Sequence, residues 1–457
     1  MDKFSNSVSK IISKIRQLGR EKFLQGAAIL SITTFLSYVT GLLRDRNFAR
    51  MFGAGRELDL YNASFIIPDL ILNMLVSAAL SAAFIPIFTS LFARGEKEKA
   101  VELGNTILHS SVILIAVFGT VIAIFMPLFS KLIAPGFTDA ERESLVSLSR
   151  IMMISPLLMA VSSSFGAMLV SFKNFLPYGI SPILYNLGII AGTLTYPFFG
   201  IYGLVLGTVF GAALHLLPRI IAIVRTPFKY AFKINFRDKN FIKVIILALP
   251  KMIGHPVEQL TFMGFTRIAT LLAAGSVTAV SFARNFQSVP VALFGIAFSV
   301  AIYPSLSAYA GVGDRENYIK SLKKAIRDIL IFTVPSAIGL YFLSDLPIRI
   351  LLGGGKFTDE NILRTASVLS MFALSIPTES ITALLARAFY SLKNTWIPVV
   401  FSVINLVVSF SFAYYQSKTM GITAIPLGFF LGSFSEMVAL SFILRIKIKS
   451  LNARPAN

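Results

Sequence analysis

The sequence predicts an all-α polytopic membrane protein, with about twelve transmembrane helices in two six-helix lobes related by a parallel repeat. Three observations predict it. Of the 457 residues, 55% are hydrophobic and only 14% charged, where an ordinary soluble domain has roughly 25% charged; mean hydropathy is +0.75. Apolar segments recur along the chain at the length of a bilayer crossing, about 20 residues. The chain also matches itself at a separation near 220 residues. Twelve spans of about 20 residues use over half the chain and leave too little for a separate catalytic domain. A disordered chain, an ordinary nucleic-acid-binding domain and a soluble enzyme are excluded.

Residues 1–24 are basic, with Val8, Ile11, Ile12, Ile15 and Leu18 at helical spacing. No small-residue cleavage site follows an uncharged core, so this segment reads as a cytoplasmic interfacial amphipathic helix. Apolar segments follow at 25–43, 60–92, 104–130, 147–171, 176–197, 201–224, 241–266, 281–308, 326–346, 363–389, 396–416 and 421–445. The second is longer than one crossing needs and contains Pro68, which predicts a single broken helix. The domain reading is an N-lobe over 25–224, a basic cytoplasmic linker over 225–240, a C-lobe over 241–445 and a cytoplasmic tail over 446–457.

The net charge of +20 comes from 42 Lys+Arg against 22 Asp+Glu. With the N-terminus inside, the cytoplasmic loops collect 28 of the 42 basic residues, as the positive-inside rule expects. Both termini then lie in the cytoplasm. There are no cysteines, and the three histidines make no ligand spacing. The sequence carries no metal cluster, no Walker loop and no nucleophile with a base, so no cofactor is expected.

The repeat is visible in four ordered matches. Gly136-Phe-Thr-Asp139 recurs as Lys356-Phe-Thr-Asp359, and Ser171-Phe-Lys-Asn174 as Ser391-Leu-Lys-Asn394. Gly207 and Gly211 recur as Gly428 and Gly432; Ile85-Pro86 and Gly95-Glu96 correspond to Tyr303-Pro304 and Gly313-Asp314. Six spans per half is even, so the halves share one topology, as in two-lobed transporters. A pore is more naturally built from rings of subunits.

Ionisable residues inside spans are costly and mark a pathway by default. In the first half these are Arg44, Asp45, Arg46, Arg50, Arg56, Asp59 and Asp69. In the second they are Lys251, Glu258, Arg267, Arg284, Glu379, Arg387 and Glu436. Arginine offers forked donors to phosphate, so Arg44, Asp45, Arg46, Asp59 and Arg284 form the candidate substrate-binding set, with Asp59 orienting the first cations. Asp69, Lys251, Glu258 and Glu379 are the candidate cavity or ion-coupling residues. Gly203, Gly207 and Gly211, four apart, read as close helix packing. Pro156, Pro182, Pro256, Pro377 and Pro398 read as bends.

The stretch Gly41-Leu-Leu-Arg-Asp45, Ala49-Arg50-Met-Phe-Gly-Ala-Gly55, Leu58-Asp-Leu-Tyr61, Ile67-Pro-Asp69 and Ala79-Leu-Ser-Ala-Ala-Phe-Ile-Pro86 resembles the MurJ/MviN lipid II flippases of the multidrug/oligosaccharidyl-lipid/polysaccharide exporter superfamily. Ala134-Pro-Gly-Phe137, Phe294-Gly-Ile296, Tyr303-Pro-Ser-Leu-Ser307 and Gly355-Lys-Phe-Thr358 are similar to further signatures of that family. The resemblance implies a monomeric, multi-pass bacterial inner-membrane transporter. It would carry lipid II, the undecaprenyl-pyrophosphate-linked peptidoglycan precursor, from the inner to the outer leaflet by alternating access. By position, Arg44, Asp45 and Asp59 match charged residues of family spans one and two, and Arg284 lies near the family's span-eight arginine. The sequence departs at Tyr38, Leu72 and Asn73, where the family often has arginines, and Arg46 is an extra cation. Many members also carry two helices beyond the twelfth. The alternatives are a flippase for another polyprenyl-linked oligosaccharide, an ion-coupled drug exporter with a more acidic cavity, and a membrane enzyme, which would need paired acids on a sizeable loop.

Overall fold

Proline and glycine decide where this chain stops being a continuous helix. The computed structural model describes residues 29–449 apart from 78, 79 and 255. The amphipathic segment 1–24 and most of the tail 446–457 lie outside the described residues. Regular structure among the described residues is helical, beside one isolated bridge between Gly354 and Phe357.

Among the described residues the helices group into twelve long runs, beside two short helices. The first, α1, occupies 29–52. The second joins α2 (Arg56–Leu72) to α3 (Ile85–Ala93) through π-helical turns at Asn73–Ser77 and Leu80–Phe84. Next come α4 (Lys97–Ile133), then α5 (Asp139–Met152) with α6 (Ile154–Ser171), α7 (Phe175–Thr193), a short α8 (Tyr196–Phe199) and α9 (Ile201–Ile223). The second half runs α10 (Lys239–Gly254) with α11 (Pro256–Thr270), then α12 (Ser276–Pro290), a π turn at Val291–Ile296 and α13 (Ala297–Val312). It continues with α14 (Arg315–Phe342), a short α15 (Asp345–Leu352), α16 (Asp359–Ala373) with α17 (Ser375–Ser391), α18 (Trp396–Met420) and α19 (Ala424–Lys449). The long segment 60–92 is one broken run, but Pro68 sits inside α2 and the departure from α geometry follows it at Asn73.

The repeat extends to backbone geometry. Eight of the ten positive-φ residues among the described ones pair between the halves: Gly53 with Gly275, Gly95 with Gly313, Lys173 with Lys393 (both φ 59), and Gly200 with Gly421. The π turns at Asn73–Ser77 and Val291–Ile296 are similarly placed. Thr138 caps α5 by accepting from the Glu141 N–H, and Thr358 caps α16 by accepting from the Asn361 N–H. Pro156 and Pro377 explain the matching breaks that follow: neither can donate to the carbonyl four residues back, and α5 and α16 end at those residues, Met152 and Ala373. The bend between α16 and α17 is 43°.

Packing divides the described residues into two compact units that cut across the sequence halves. One holds the chain up to Arg44, Ala79–Ala116 and Ile154–Ile246; the other holds Asp45–Ala78, Val117–Met153 and the chain from Leu247. In the first unit α7 and α9 meet through glycines. A Cβ on Gly188 would lie 2.3 Å from the Gly211 Cα, and one on Gly192 would lie 2.6 Å from the Gly207 Cα. Small residues let membrane helices approach this closely. In the second unit Leu306, Tyr318, Ile329, Leu384, Phe389 and Leu440 build a core from α13, α14, α17 and α19. Tyr318 is fully buried there and donates to the Ala388 carbonyl at 3.0 Å. The apolar residues left over face outward: Val117, Val121, Ile124, Phe125 and Leu128 of α4 are exposed, the arrangement expected when the solvent is lipid.

Candidate functional site

Within the second unit, charged residues from the end of α1 and the start of α2 are engaged with α12 and the loop before it, and with α15 and the turn after it. The Asp59 carboxylate is buried and accepts from the Gly275 N–H (2.7 Å), the Thr278 N–H (2.8 Å) and the Thr278 hydroxyl (2.8 Å). These are donors of the first turn of α12, whose own N-cap residue, Gly275, has no capping side chain. A carboxylate is favoured there by the unpaired amides and the helix dipole. Only glycine fits at position 275: φ is +86, and a Cβ would lie 1.9 Å from the Ala54 carbonyl oxygen. The ion pair of Asp59 is with Arg56 (3.9 Å), which also pairs with Glu141 (3.0 Å) and lies over the Phe137 ring.

Neighbouring residues make the same kind of contact. Asp45 is buried and accepts from the Asn285 amide at 2.7 Å. Arg46 reaches the Ile350 carbonyl at 3.5 Å. The Arg50 carbonyl accepts from the Lys356 N–H at 2.8 Å, and its guanidinium donates to the Gly353 carbonyl at 3.4 Å. In the first unit, Arg44 donates to the Asn186 side chain at 3.1 Å.

Arg284 projects from α12 into a polar group. It makes a forked pair with Glu379 (2.7 and 2.8 Å), a third contact with Glu258 (3.3 Å), and a bond to Gln287. Its guanidinium lies between the Phe262 and Phe429 rings, 5.1 and 4.9 Å from their centres. Gln287 also donates to Glu379 (2.9 Å) and to Ser375 (3.1 Å). A cavity of about 220 Å³ opens beside this group, lined by Glu258, Thr261, Glu379, Asn405, Ser433 and Glu436 among others. Glu436 is buried and accepts from Asn405 at 2.7 Å.

The candidate set is thus divided. Asp45, Arg46, Asp59, Glu258, Arg284 and Glu379 belong to the second unit, and Arg44 to the first. Asp69 is exposed on α2 and is not a lining residue of the acidic cavity. The Lys251 side chain lies outside the described residues. Gln287 and Asn405 complete the polar group and were not singled out as site residues; their spacing, three residues after Arg284 and one span before Glu436, was the available signal. Among the described residues no group of three or more His, Asp or Glu side chains could hold a metal ion.

Helical runs whose breaks and turns repeat between two halves, with ion pairs inside apolar segments, define a two-repeat membrane transporter. Residues 48–455 match the family described as "Lipid II flippase MurJ". The chain belongs to that family. It is 28% identical over 410 residues to a protein of Borreliella burgdorferi named probable lipid II flippase MurJ, covering 88% of this chain and 80% of that one. A Thermotoga maritima protein of the same name is 29% identical over 401 residues, covering 87% and 80%. The fold is similar to a solved lipid II flippase MurJ in an inward closed conformation, with TM-score 0.79 and 24% identity over 93% of this chain and 90% of that one. It is also similar to an inward-facing multidrug resistance transporter of the MATE family, with TM-score 0.77 and 15% identity over 94% of this chain and all of that one.

Proposed function

We propose that this family member carries lipid II from the cytoplasmic to the outer leaflet, with both termini in the cytoplasm and a single chain as the working unit. Membership of the family supports the substrate, and the distribution of basic residues supports the orientation. The observation that carries the mechanism is the seating of Asp59 on the first turn of α12. In this orientation the Asp59 end faces the cell exterior, and that seating closes it. Alternating access then requires the Asp59 contacts to break when the exterior side opens.

A pyrophosphate cannot cross hydrocarbon unaided, because a bare buried charge costs several kcal/mol even after relaxation. Arg44, Arg46 and Arg284 are the cations proposed to supply its route. Arg284 is already paired, so a pyrophosphate must compete with Glu379 and Glu258 for its fork. The acidic cavity beside it, with Glu258, Glu379 and Glu436, is proposed to take the coupling proton or monovalent cation. Binding there draws carboxylate charge away from Arg284 and releases its donors to the substrate. That ordering joins coupling to substrate binding through one residue.

Depletion of the protein in its own organism tests the substrate. Lipid II is expected to accumulate on the cytoplasmic side; accumulation of a different polyprenyl-linked sugar overturns the reading in favour of another flippase. Arg44→Ala, Arg46→Ala and Arg284→Ala, expressed at parental membrane levels, are each expected to lower export. Normal export in all three removes the cationic route.

A further inference from the structure

A second polar cavity lies at the opposite end of the second unit, away from Asp59 along α13, α17 and α19. Its volume is about 420 Å³, and its lining includes Tyr303, Ser307, Tyr390, Lys393, Asn394 and Lys447. Two lysines and four hydroxyl-bearing residues, Tyr303, Ser307, Tyr390 and Ser391, line it, and no carboxylate is among its lining residues. The Ser307 hydroxyl oxygen is buried and has no hydrogen-bond partner among the described residues. We propose that this pocket binds a phosphate-bearing ligand, with Lys393 and Lys447 as the charge partners and the tyrosines as neutral donors.

The backbone at Lys393 argues for a role of its side chain. Its φ is +59, a conformation that glycine takes freely and that brings the Cβ of any other L-residue too close to the following carbonyl. The turn needs this conformation: the Lys393 N–H donates to the Tyr390 carbonyl, and the Asn394 N–H reaches back to the Phe389 carbonyl at 3.0 Å. Glycine would close the same turn without strain. Backbone strain of this kind gathers at binding sites. The plainer role is that both lysines sit near helix C-termini, where positive charge is favourable. That role leaves an open cavity of about 420 Å³ with two lysines and no carboxylate in its lining without an occupant. Ammonium-to-phosphate contacts are charge-assisted and strong, and lysine meets phosphate as a point charge.

The ligand is either the headgroup of an anionic lipid in the adjacent leaflet or a soluble phosphate. The proposed orientation matters only for saying that this leaflet is the cytoplasmic one; the test does not depend on it. The single tryptophan, Trp396, is exposed and three residues beyond Lys393, so its emission reports on this pocket. The full chain is titrated in detergent micelles with inorganic pyrophosphate, and separately placed in nanodiscs of phosphatidylcholine with or without phosphatidylglycerol. Calorimetry reads binding, and Trp396 emission reads its location. A saturable signal is expected in at least one arm: pyrophosphate in micelles identifies a soluble ligand, phosphatidylglycerol in discs a headgroup. Lys393→Gly and Lys447→Gln should each weaken binding by about tenfold, while Lys393→Gly melts no lower than the parent because the turn is relieved. Binding at parental strength in both variants overturns the proposal, as does the absence of heat in both arms. Binding lost in Arg46→Ala but kept in the lysine variants belongs to the transport route and also overturns it.

Discussion

Two arginines held inside this protein are neutralised in opposite ways. Arg219, in the first unit, is 4% exposed. Its guanidinium donates to the Ser162 carbonyl (2.8 Å), the Ser181 hydroxyl (3.0 Å) and the Tyr178 carbonyl (3.4 Å), and lies over the Tyr178 ring. His215 accepts from it at 3.4 Å while its other ring nitrogen meets Ser162 at 2.8 Å. A Cβ on Gly166 would come 2.5 Å from this guanidinium. None of those partners is a carboxylate. Arg284, in the second unit, is held by two carboxylates. The two carbonyls and the Ser181 hydroxyl have no alternative protonation state that would release an arginine, so Arg219 is a lasting pin joining α6, α7 and α9. A carboxylate pair can be broken by a proton, a cation or a competing anion, so Arg284 is exchangeable. Burial alone does not distinguish a structural charge from a working one; the chemistry of its partners does.

The largest expected effect is at the exchangeable site. Arg284→Ala leaves Glu379 without its ionic partner; the two side chains are 15% and 23% exposed, so the loss falls at the low end of the about 3–5 kcal/mol of a fully buried pair. Thermal melting of the purified protein should show it, and Arg284→Ala/Glu379→Gln should recover most of the loss. If the double variant melts as low as the single one, the two residues are not coupled and the comparison fails. Arg219→Met is expected to cost about 2–3 kcal/mol, since each hydrogen bond to a charged group is worth roughly 1.5–3 and methionine refills part of the volume. Arg219→Lys should rescue little, because one ammonium cannot reproduce the fork across three helices. Full rescue by lysine would mean that charge alone is needed there.

Asp59→Asn is expected to weaken the cap on α12 by about 1 kcal/mol and to favour opening at that end. The chain has no cysteine, so Ser276→Cys, at a buried position, provides a single labelling site. Maleimide labelling should accelerate in the Asp59→Asn background; an unchanged rate removes Asp59 from the gate. The smallest effect concerns the linker between the halves. The Asn105 side chain donates to the Lys229 carbonyl and accepts from the Ala231 N–H, and Glu102 accepts from Asn235 at 2.7 Å and pairs with Lys233 at 3.2 Å. The hydrogen bond from Asn235 holds the Glu102 carboxyl below its ordinary range. A depressed folded value means the stabilisation is present above the unfolded value and is lost as pH falls through the folded one. Proteolysis within 225–238 should therefore be slow at neutral pH and accelerate only under acid, and Glu102→Gln should flatten that dependence.

The helices and the breaks before Pro156 and Pro377 were legible in the sequence because they depend on local chemistry, whereas Pro68 and Pro182 lie inside α2 and α7. Apolar length marks the spans, proline removes a specific donor, and paired motifs such as Ser171-Phe-Lys-Asn174 and Ser391-Leu-Lys-Asn394 carry the same turn, down to a common φ of 59 at their lysines. The family was legible for the same reason: its signatures are short and contiguous. Arg219 shows where such reading stops. Placed after Pro218 and before a basic loop, it counts as a cytoplasmic charge in sequence, yet it is buried against α6 and α7. Arg284, Asp45 and Asp59 stand out in the sequence as charges within or beside apolar segments, but nothing local shows that Arg284 meets Glu379, 95 residues away, or that Asp59 caps a helix 216 residues on. A charge in a span announces that it must be compensated, because an unpaired one is too costly. Which group compensates it depends on helices brought together from distant parts of the chain, and only the tertiary structure decides that.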